Sequence, residues 1–294
     1  MDQLDWLTLS LICAFSLASA DAATKAWLRD YSTRELTLIR FTLTGVLMTP
    51  LLAGLPPLAD LPVAFWGWIA ILLPLEILAM LMYMAAIRDH PLSQTLPYLA
   101  FTPAFVILIA DWVLGEKVSA QGAVGILLIV GGSWLLNVQQ ARAADWRTWA
   151  APLAATFHQR GSRMMLAVAL LYAVTATLGK GALQYMAPEH FGAFYFLLLG
   201  AATLVLIGLP RPGTLLRVWR RPWAVLIVTG LNAIMVTTHF LAIQLVEVAY
   251  MIAVKRLSLV IGILYGAWLF HEAGLRQHLM AAGLMLTGVF LIAW

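Results

Sequence analysis

The sequence of 294 residues is 62% hydrophobic and only 11% charged, with a mean hydropathy of +0.88. Soluble domains usually carry about 25% charged residues, so this composition excludes a soluble globular protein and predicts an all-α, polytopic membrane protein. A net charge of +4 and a pI near 9.4 do not indicate a nucleic-acid partner, because the basic residues lie mostly in loops between apolar runs.

Ten apolar runs are each long enough to cross a bilayer as a helix. Numbered in chain order, spans 1 to 10 are predicted at residues 6–28, 33–53, 63–87, 92–114, 119–137, 163–185, 190–209, 222–243, 246–270 and 276–294. One long loop, 138–162, separates two groups of five. We therefore expect two five-helix domains, 1–137 and 163–294, joined by a linker at 138–162.

The two halves are related in sequence. The pairs related by a shift of 156 residues are Glu76 and Asn232, Trp112 and Trp268, Glu116 and Glu272, Gln121 and Gln277, and Gly132 and Gly288. A shift of 155 residues relates Lys25 to Lys180 and Gly45 to Gly200. Because five is odd, the second half must lie inverted relative to the first. Inverted repeats place a binding site near the membrane midplane, between the halves.

Three charged residues lie in the middle of predicted spans. Lys255 and Arg256 are adjacent in span 9, and Glu76 lies in span 3 beside Pro74. A charge at this depth costs roughly 2.5–3.5 kcal/mol on insertion scales, so each must face protein or water. One of the two cations binds an anionic or zwitterionic substrate, or a counter-carboxylate, while the other anchors span 9 to its neighbours. The alternative is that both form fixed internal ion pairs. Glu76 couples transport to protons or binds an amine, or it pairs permanently with Arg256 or Arg40.

Further polar residues are secondary candidates. Arg40 in span 2, Asn232 and His239 in span 8, and Tyr98 in span 4 are candidates for the lining of a cavity, with helix packing as the alternative. Glu116 and Glu272 precede spans 5 and 10. A carboxylate there accepts hydrogen bonds from the free N–H groups at the start of the following helix, so we interpret both as structural junctions.

These features together resemble a known family. The run AVKRLS followed by GILYGAWLF in span 9, the five-plus-five repeat, and the junctions Gly115-Glu116 and His271-Glu272 resemble the EamA branch of the drug/metabolite transporter superfamily. The resemblance covers nearly the whole chain and implies ten membrane helices in two inverted repeats. Its members export amino acids and other metabolites, and some import. The chain departs from the family pattern at His271, where Gly is common, and at Thr102-Pro103, where Ser-Pro is typical.

The function expected on these grounds is secondary transport of a small polar or amphipathic metabolite, which is amino-acid-like, zwitterionic or anionic. We expect export, with coupling to protons. A flippase for a lipid or lipid head group remains the alternative. No phosphate-binding loop, HExxH motif or nucleophile–base set occurs in the sequence, so we expect neither an enzyme nor a cofactor or metal. The expected partners are a small-molecule substrate and the bilayer, with the protein a monomer or a weak homodimer.

The basic residues also predict an orientation. Loops after even-numbered spans and the two termini hold only Lys117, whereas the loops after odd-numbered spans hold Arg29, Arg34, Arg88, Arg142, Arg147, Arg160, Arg163, Arg211, Arg217, Arg220, Arg221 and Arg276. Basic residues in short loops stay in the cytoplasm. We therefore expect a multi-pass protein of the inner (plasma) membrane with both termini outside the cytoplasm, whereas the family resemblance implies termini inside.

Overall fold

The computed structural model describes residues 3–55, 57–89, 96–137, 160–270 and 275–293, and every regular element in these ranges is helical. Five helices are long and apolar enough to cross a membrane by themselves, namely Asp5–Trp27, Val63–Asp89, Arg160–Leu183, Pro188–Gly208 and Pro222–Leu245. Shorter apolar helices fill the other predicted positions. The prediction of an all-α, polytopic membrane protein is confirmed.

The helices of the first half follow the predicted order. Span 1 is Gln3–Trp27, span 2 runs through Thr33–Leu38, Ile39–Leu43, Thr44–Leu47 and Thr49–Leu52, span 3 is Val63–Asp89, span 4 joins Leu96–Phe101 to Thr102–Leu114, and span 5 is Ala120–Asn137. Ser32 begins span 2 with a capping box, in which its side chain accepts from the Glu35 N–H and its N–H donates to the Glu35 carboxylate. Ile39–Leu43 is a π-helical turn.

The second half adds one short helix that no span predicted. Span 6 is Arg160–Leu183, span 7 joins Pro188–Thr203 to the π turn Leu204–Gly208, the extra helix is Pro212–Val218, span 8 is Pro222–Leu245, span 9 consists of Val248–Lys255 and Ser258–Phe270, and span 10 is Leu275–Ala293. Span 9 is therefore interrupted, contrary to the expectation of one continuous helix over 246–270. Residues 138–159 of the predicted linker lie outside the described ranges.

Packing between the spans is symmetric under exchange of the halves. Span 1 packs along span 8, and its repeat mate, span 6, packs along span 3. Span 4 also packs on span 6, and the equivalent contact in the other half is that of span 9 with span 1. Spans 2 and 7, 4 and 9, and 5 and 10 each pack against their own repeat mate. An axis that exchanges the two halves therefore passes between these three pairs.

The close contact of spans 2 and 7 shows that the mates run antiparallel. A Cβ built on Gly45 would lie 3.0 Å from the Leu197 Cα, and one built on Gly200 would lie 2.9 Å from the Thr42 Cα. A shift of 155 residues converts the first contact into the second. The order reverses along the two spans, as an inverted repeat requires. Spans 5 and 10 make the same kind of close, reciprocal contact, since Gly125 and Gly288 each lie against the other's carbonyl oxygen.

The loops sort to two faces of the molecule. On one, which we call the arginine face, the Arg221 N–H donates to the Tyr31 hydroxyl at 3.0 Å and so joins the loops after spans 1 and 7. On the opposite face, His190 at the start of span 7 contacts the Leu51 carbonyl at the end of span 2 at 2.7 Å. These contacts agree with the alternation expected of successive membrane crossings.

Candidate functional site

The interruption of span 9 places two cations at a bend inside the protein. The Arg256 N–H donates to the Ala253 carbonyl at 3.0 Å and the Leu257 N–H to the Val254 carbonyl at 2.9 Å. This three-residue spacing ends the first helix, and Ser258 begins the second. Irregular backbone at membrane depth is tolerated only where protein buries it or water reaches it. A turn that is buried by protein, or that water reaches, is a favourable place for a binding site.

The Lys255 side chain points toward spans 1 and 8. Its Nζ lies 3.5 Å from the Met235 Sδ, and the Cys13 thiol donates to the Met235 carbonyl at 3.4 Å. His239, one turn farther along span 8, lies within electrostatic range of both Lys255 and Arg256. Spans 1, 8 and 9 thus meet around the cations.

Arg256 is buried deeply for a charged residue. Only 5% of the residue is exposed, and its Nε has no hydrogen-bond partner among the described atoms. In the described part of the chain, no carboxylate lies within 4.0 Å of the Lys255 amine or the Arg256 guanidinium. A buried charge without a partner is costly. The two cations therefore form a centre to which an anion would be attracted.

Glu76 faces this centre from span 3. Its carboxylate lies within electrostatic range of Lys255 and interacts with the Thr175 side chain of span 6. Tyr172 of span 6 and Tyr195 of span 7 both lie within electrostatic range of the Glu76 carboxylate. The Tyr195 hydroxyl is buried without a described hydrogen-bond partner. The acidic side of the site is thus lined with hydroxyl groups, with Glu76 opposite the cations.

Arg40 and Asn232 lie together in a separate network. Arg40 donates from Nη1 to the Asn232 Oδ1 at 3.2 Å, and the Asn232 Nδ2 donates to the Arg40 carbonyl at 2.9 Å. The π turn aids this contact, because the Thr44 N–H, which an α-helix would direct at the Arg40 carbonyl, bonds to Phe41 instead. Arg40 also forms a 2.6 Å ion pair with Asp21. These contacts indicate a structural tie between spans 1, 2 and 8, although the buried Arg40 Nε has no hydrogen-bond partner among the described atoms.

Asp21, near the end of span 1, is the partner of the buried Arg40 cation. Its other carboxylate oxygen accepts from the Tyr83 hydroxyl at 2.8 Å. The sequence contains an indication of this Asp21–Arg40 pair. Asp21 lies six residues before the end of span 1 and Arg40 seven after the start of span 2, so both have similar depth. The alternative of a permanent Glu76–Arg40 pair is not what the structure has.

Glu116 is a junction residue, but it caps a different helix from the one expected. Its Oε2 accepts from the Val248 N–H at 2.8 Å, at the start of span 9 rather than span 5. Its Oε1 pairs with the Lys180 Nζ at 2.5 Å, and Lys180 also donates to the Val246 carbonyl at 2.6 Å. Lys180 of the second half therefore binds Glu116 of the first half. Glu272 lies outside the described residues.

Tyr98 is the remaining candidate, and the structure places it against span 5. It is buried in the turn before span 4's main helix, with its ring edge-on to Trp134 of span 5, 5.9 Å between centroids. Two tyrosines that were not singled out, Tyr172 and Tyr195, lie within electrostatic range of Glu76. The repeat contained a signal for Tyr195, because a shift of 155 residues relates it to Arg40. Glu76 is likewise the mate of Asn232, so the Arg40–Asn232 contact has a counterpart in Tyr195 and Glu76.

Comparisons with known proteins place the chain in a family. A model described as the EamA-like transporter family matches residues 4–138 and 159–294. A relative from Enterobacter sp. (strain 638), the probable 4-amino-4-deoxy-L-arabinose-phosphoundecaprenol flippase subunit ArnE, is 35% identical over 72 residues, 24% of this chain and 67% of the relative. A crystal structure described only as that of a protein has a TM-score of 0.68 at 16% identity, covering 97% of this chain and 94% of its own.

The crystal structure supports the fold alone, whereas the family model covers both halves almost completely. Together with the ten spans and the symmetric packing, that match identifies the protein as a multi-pass membrane protein of the EamA-like transporter family, within the drug/metabolite transporter superfamily.

Proposed function

We propose that the protein is a secondary transporter for a small metabolite that carries an anionic group, and that Lys255 and Arg256 bind that group. The observation that carries the proposal is the interrupted helix of span 9, which holds two cations without a described carboxylate within 4.0 Å. Discontinuous helices between inverted repeats are a recurring way to build transporter sites. A substrate carboxylate or phosphate supplies the missing negative charge.

Glu76 gives this site a route to proton coupling. With Glu76 ionised, its charge acts on Lys255 and competes with a substrate anion for that cation. Protonation of Glu76 removes the competition, so substrate and proton bind together. We propose that this linkage couples transport to a proton gradient and that the substrate is zwitterionic or anionic. Because substrate and proton bind together, a proton gradient directed into the cell would drive import by this route, rather than the export that the family resemblance implies.

The charge of Glu76 can be removed without changing its shape. In Glu76→Gln we expect substrate flux in liposomes to become independent of an imposed pH gradient, because no carboxylate is left to titrate. Substrate exchange without a gradient should persist. The measurement is uptake of labelled carboxylate and phosphate metabolites as a function of the gradient. Glu189→Gln, at an exposed carboxylate in the first turn of span 7, is the matched control. Full gradient dependence in Glu76→Gln would exclude this coupling role.

A flippase for a lipid head group is the second candidate. It is favoured by the similarity to the ArnE flippase subunit, whose name specifies a phosphoundecaprenol-linked sugar. Both functions would use the same cations, since a lipid phosphate and a free metabolite phosphate are alike in charge. Liposomes containing a phosphopolyprenol distinguish them. Transfer of the lipid between leaflets without uptake of soluble anions would favour the flippase.

The orientation proposal has its own test. We propose that the arginine face lies in the cytoplasm and that both termini lie outside. A C-terminal reporter enzyme that is active only in the cytoplasm should therefore be inactive, and one active only outside should be active. The same reporters fused within the loop between spans 7 and 8 should give the reverse result. A C-terminal cytoplasmic reporter that is active would show that the usual topology of the family applies.

A further inference from the structure

A second cluster of charges lies at the end of the helix that carries the cations. Glu116 and Lys180, together with the backbone of Val246 and Val248, form what we call the clasp. It joins the turn before span 5, the last turn of span 6 and the loop before span 9. The Glu116 and Lys180 side chains are only 14% and 19% exposed. A pair this buried is not a surface ion pair, so its loss should have a larger effect.

The clasp acts directly on the first helix of span 9. Val248–Lys255 is eight residues long, about 12 Å at the usual rise per residue, with the clasp at one end and Lys255 at the other. Val248 to Val254 are all buried. Two residues beyond Val248 of the clasp, the Tyr250 hydroxyl accepts from the Ser119 N–H at 3.1 Å. The clasped end of this helix is thus held by residues of the first half.

The bend after Lys255 separates this short helix from the rest of span 9. The two helices are joined only by a hydrogen-bonded turn at Arg256 and Leu257, which would allow Val248–Lys255 to shift relative to Ser258–Phe270. A displacement at the clasp would then move Lys255 relative to Met235 and Cys13. Hinges of transporters are short segments of this kind, at the ends of elements.

We propose that the clasp is the gate that closes the substrate site toward the face opposite the arginine face, and that Glu116 and Lys180 are its positioning residues. This inference rests on the proposed function, because it treats Lys255 and Arg256 as the site. When the clasp is intact, the short helix lies against spans 1, 4 and 5 and covers the cations. When it opens, water and substrate reach Lys255 from the clasp face.

The chain contains its own reporter for this opening. Cys13 is the single cysteine in the sequence, is fully buried, and lies beside Met235 within electrostatic range of Lys255. A membrane-impermeant methanethiosulfonate bearing a sulfonate, added to one side of oriented liposomes, reacts with Cys13 only when the site is open to that side. The experiment needs no substrate.

Removing the clasp charges should speed the reaction from one side only. We expect Glu116→Gln and Lys180→Met to raise the Cys13 labelling rate at least about tenfold from the clasp face, the effect of lowering the free energy of opening by about 1.4 kcal/mol. Labelling from the arginine face should not change. Lys180→Arg keeps the charge and should label like the wild type. Asp111→Asn breaks the exposed Lys117–Asp111 pair on the same face and is the matched control.

Other outcomes contradict the gate. Unchanged labelling in both clasp variants would mean that the clasp does not control access. Equal acceleration from both faces would mean that the variants loosen the whole protein, and the clasp would then be structural only. The result is separate from the substrate assignment, because a clasp that controls labelling stands even if the Lys255 and Arg256 variants bind substrate normally.

Discussion

Alanine in place of Lys255 or Arg256 is expected to weaken substrate binding at least about a hundredfold, or roughly 2.7 kcal/mol. Each substitution removes one of the two cations at the bend of span 9 and leaves the substrate anion with half of its charge partners. The measurement is equilibrium binding, to the purified full chain, of an anionic compound found in the liposome screen. The loss should occur in affinity, while the protein still folds and elutes as a single species.

The control for this prediction is Lys117→Ala. Lys117 pairs with Asp111 at the surface, where its removal leaves the central charges unaltered. We expect its affinity to match that of the wild type. Lys255→Arg is a second control, since it keeps the charge while changing the geometry. If both alanine variants bind the substrate as tightly as the wild type does, the cations are structural and the proposed site is wrong.

The second large effect is expected where the two halves cross. In Gly200→Ala, the new Cβ would lie 2.9 Å from the Thr42 Cα and 3.1 Å from the Phe41 carbonyl oxygen. Both are backbone atoms, which cannot move aside as a side chain can. Overpacking of this kind costs typically 1–3 kcal/mol, and occasionally more where backbone must shift. The thermal midpoint of the purified protein should fall, and the double variant with Gly45→Ala should fall further.

A matched glycine distinguishes packing from helix propensity. Gly230 lies inside span 8, and a Cβ there would meet nothing within 4 Å. Gly230→Ala should therefore be neutral or up to about 1 kcal/mol more stable, because alanine is the better helix former. If Gly200→Ala and Gly230→Ala have the same thermal midpoint, spans 2 and 7 do not cross as closely as the contact of Gly200 with Thr42 implies.

The fold could be predicted from the sequence because hydropathy and the internal repeat carry most of it. Apolar length locates the spans, and the repeat with its odd number of spans predicts the inversion. The pairing of Gly45 with Gly200 in sequence became a symmetric contact in the structure. The interruption of span 9 could not be predicted in the same way. Its sequence, AVKRLS, contains neither proline nor glycine, so the bend depends on the packing of neighbouring spans.

The site was predictable in part, because hydropathy gives the depth of a residue but not the direction of its side chain. Glu76, Lys255, Arg256 and His239 were expected near the midplane, and the structure brings them within electrostatic range. Arg40 and Asn232 have suitable depth too, yet they are hydrogen-bonded to each other, and Arg40 forms an ion pair with Asp21. Only the packing of the spans shows which of these polar residues lie around the cations and which form the separate Arg40–Asn232 network.

The repeat also explains why the site lies on one side of the pseudo-symmetry axis. A shift of 156 residues relates Lys255 to Leu99 and Arg256 to Ala100, and both of these mates are apolar. Span 4 is also interrupted, between Leu96–Phe101 and Thr102–Leu114, but the corresponding positions there carry no charge. An inverted pair of halves supplies two alternative states, and under the proposed function the unequal charges would determine where a substrate anion binds.

The most direct test of the central claim is the charge selectivity of ligand binding. The thermal midpoint of the purified full chain should be measured with matched pairs of compounds: amino acids against their amides, and sugar phosphates against their parent sugars. The member of each pair that carries the carboxylate or phosphate should raise the midpoint, the partner that lacks this group should not, and Lys255→Ala should abolish the increase. A partner without the carboxylate or phosphate that raises the midpoint as much, in both the wild type and Lys255→Ala, would contradict the proposed site.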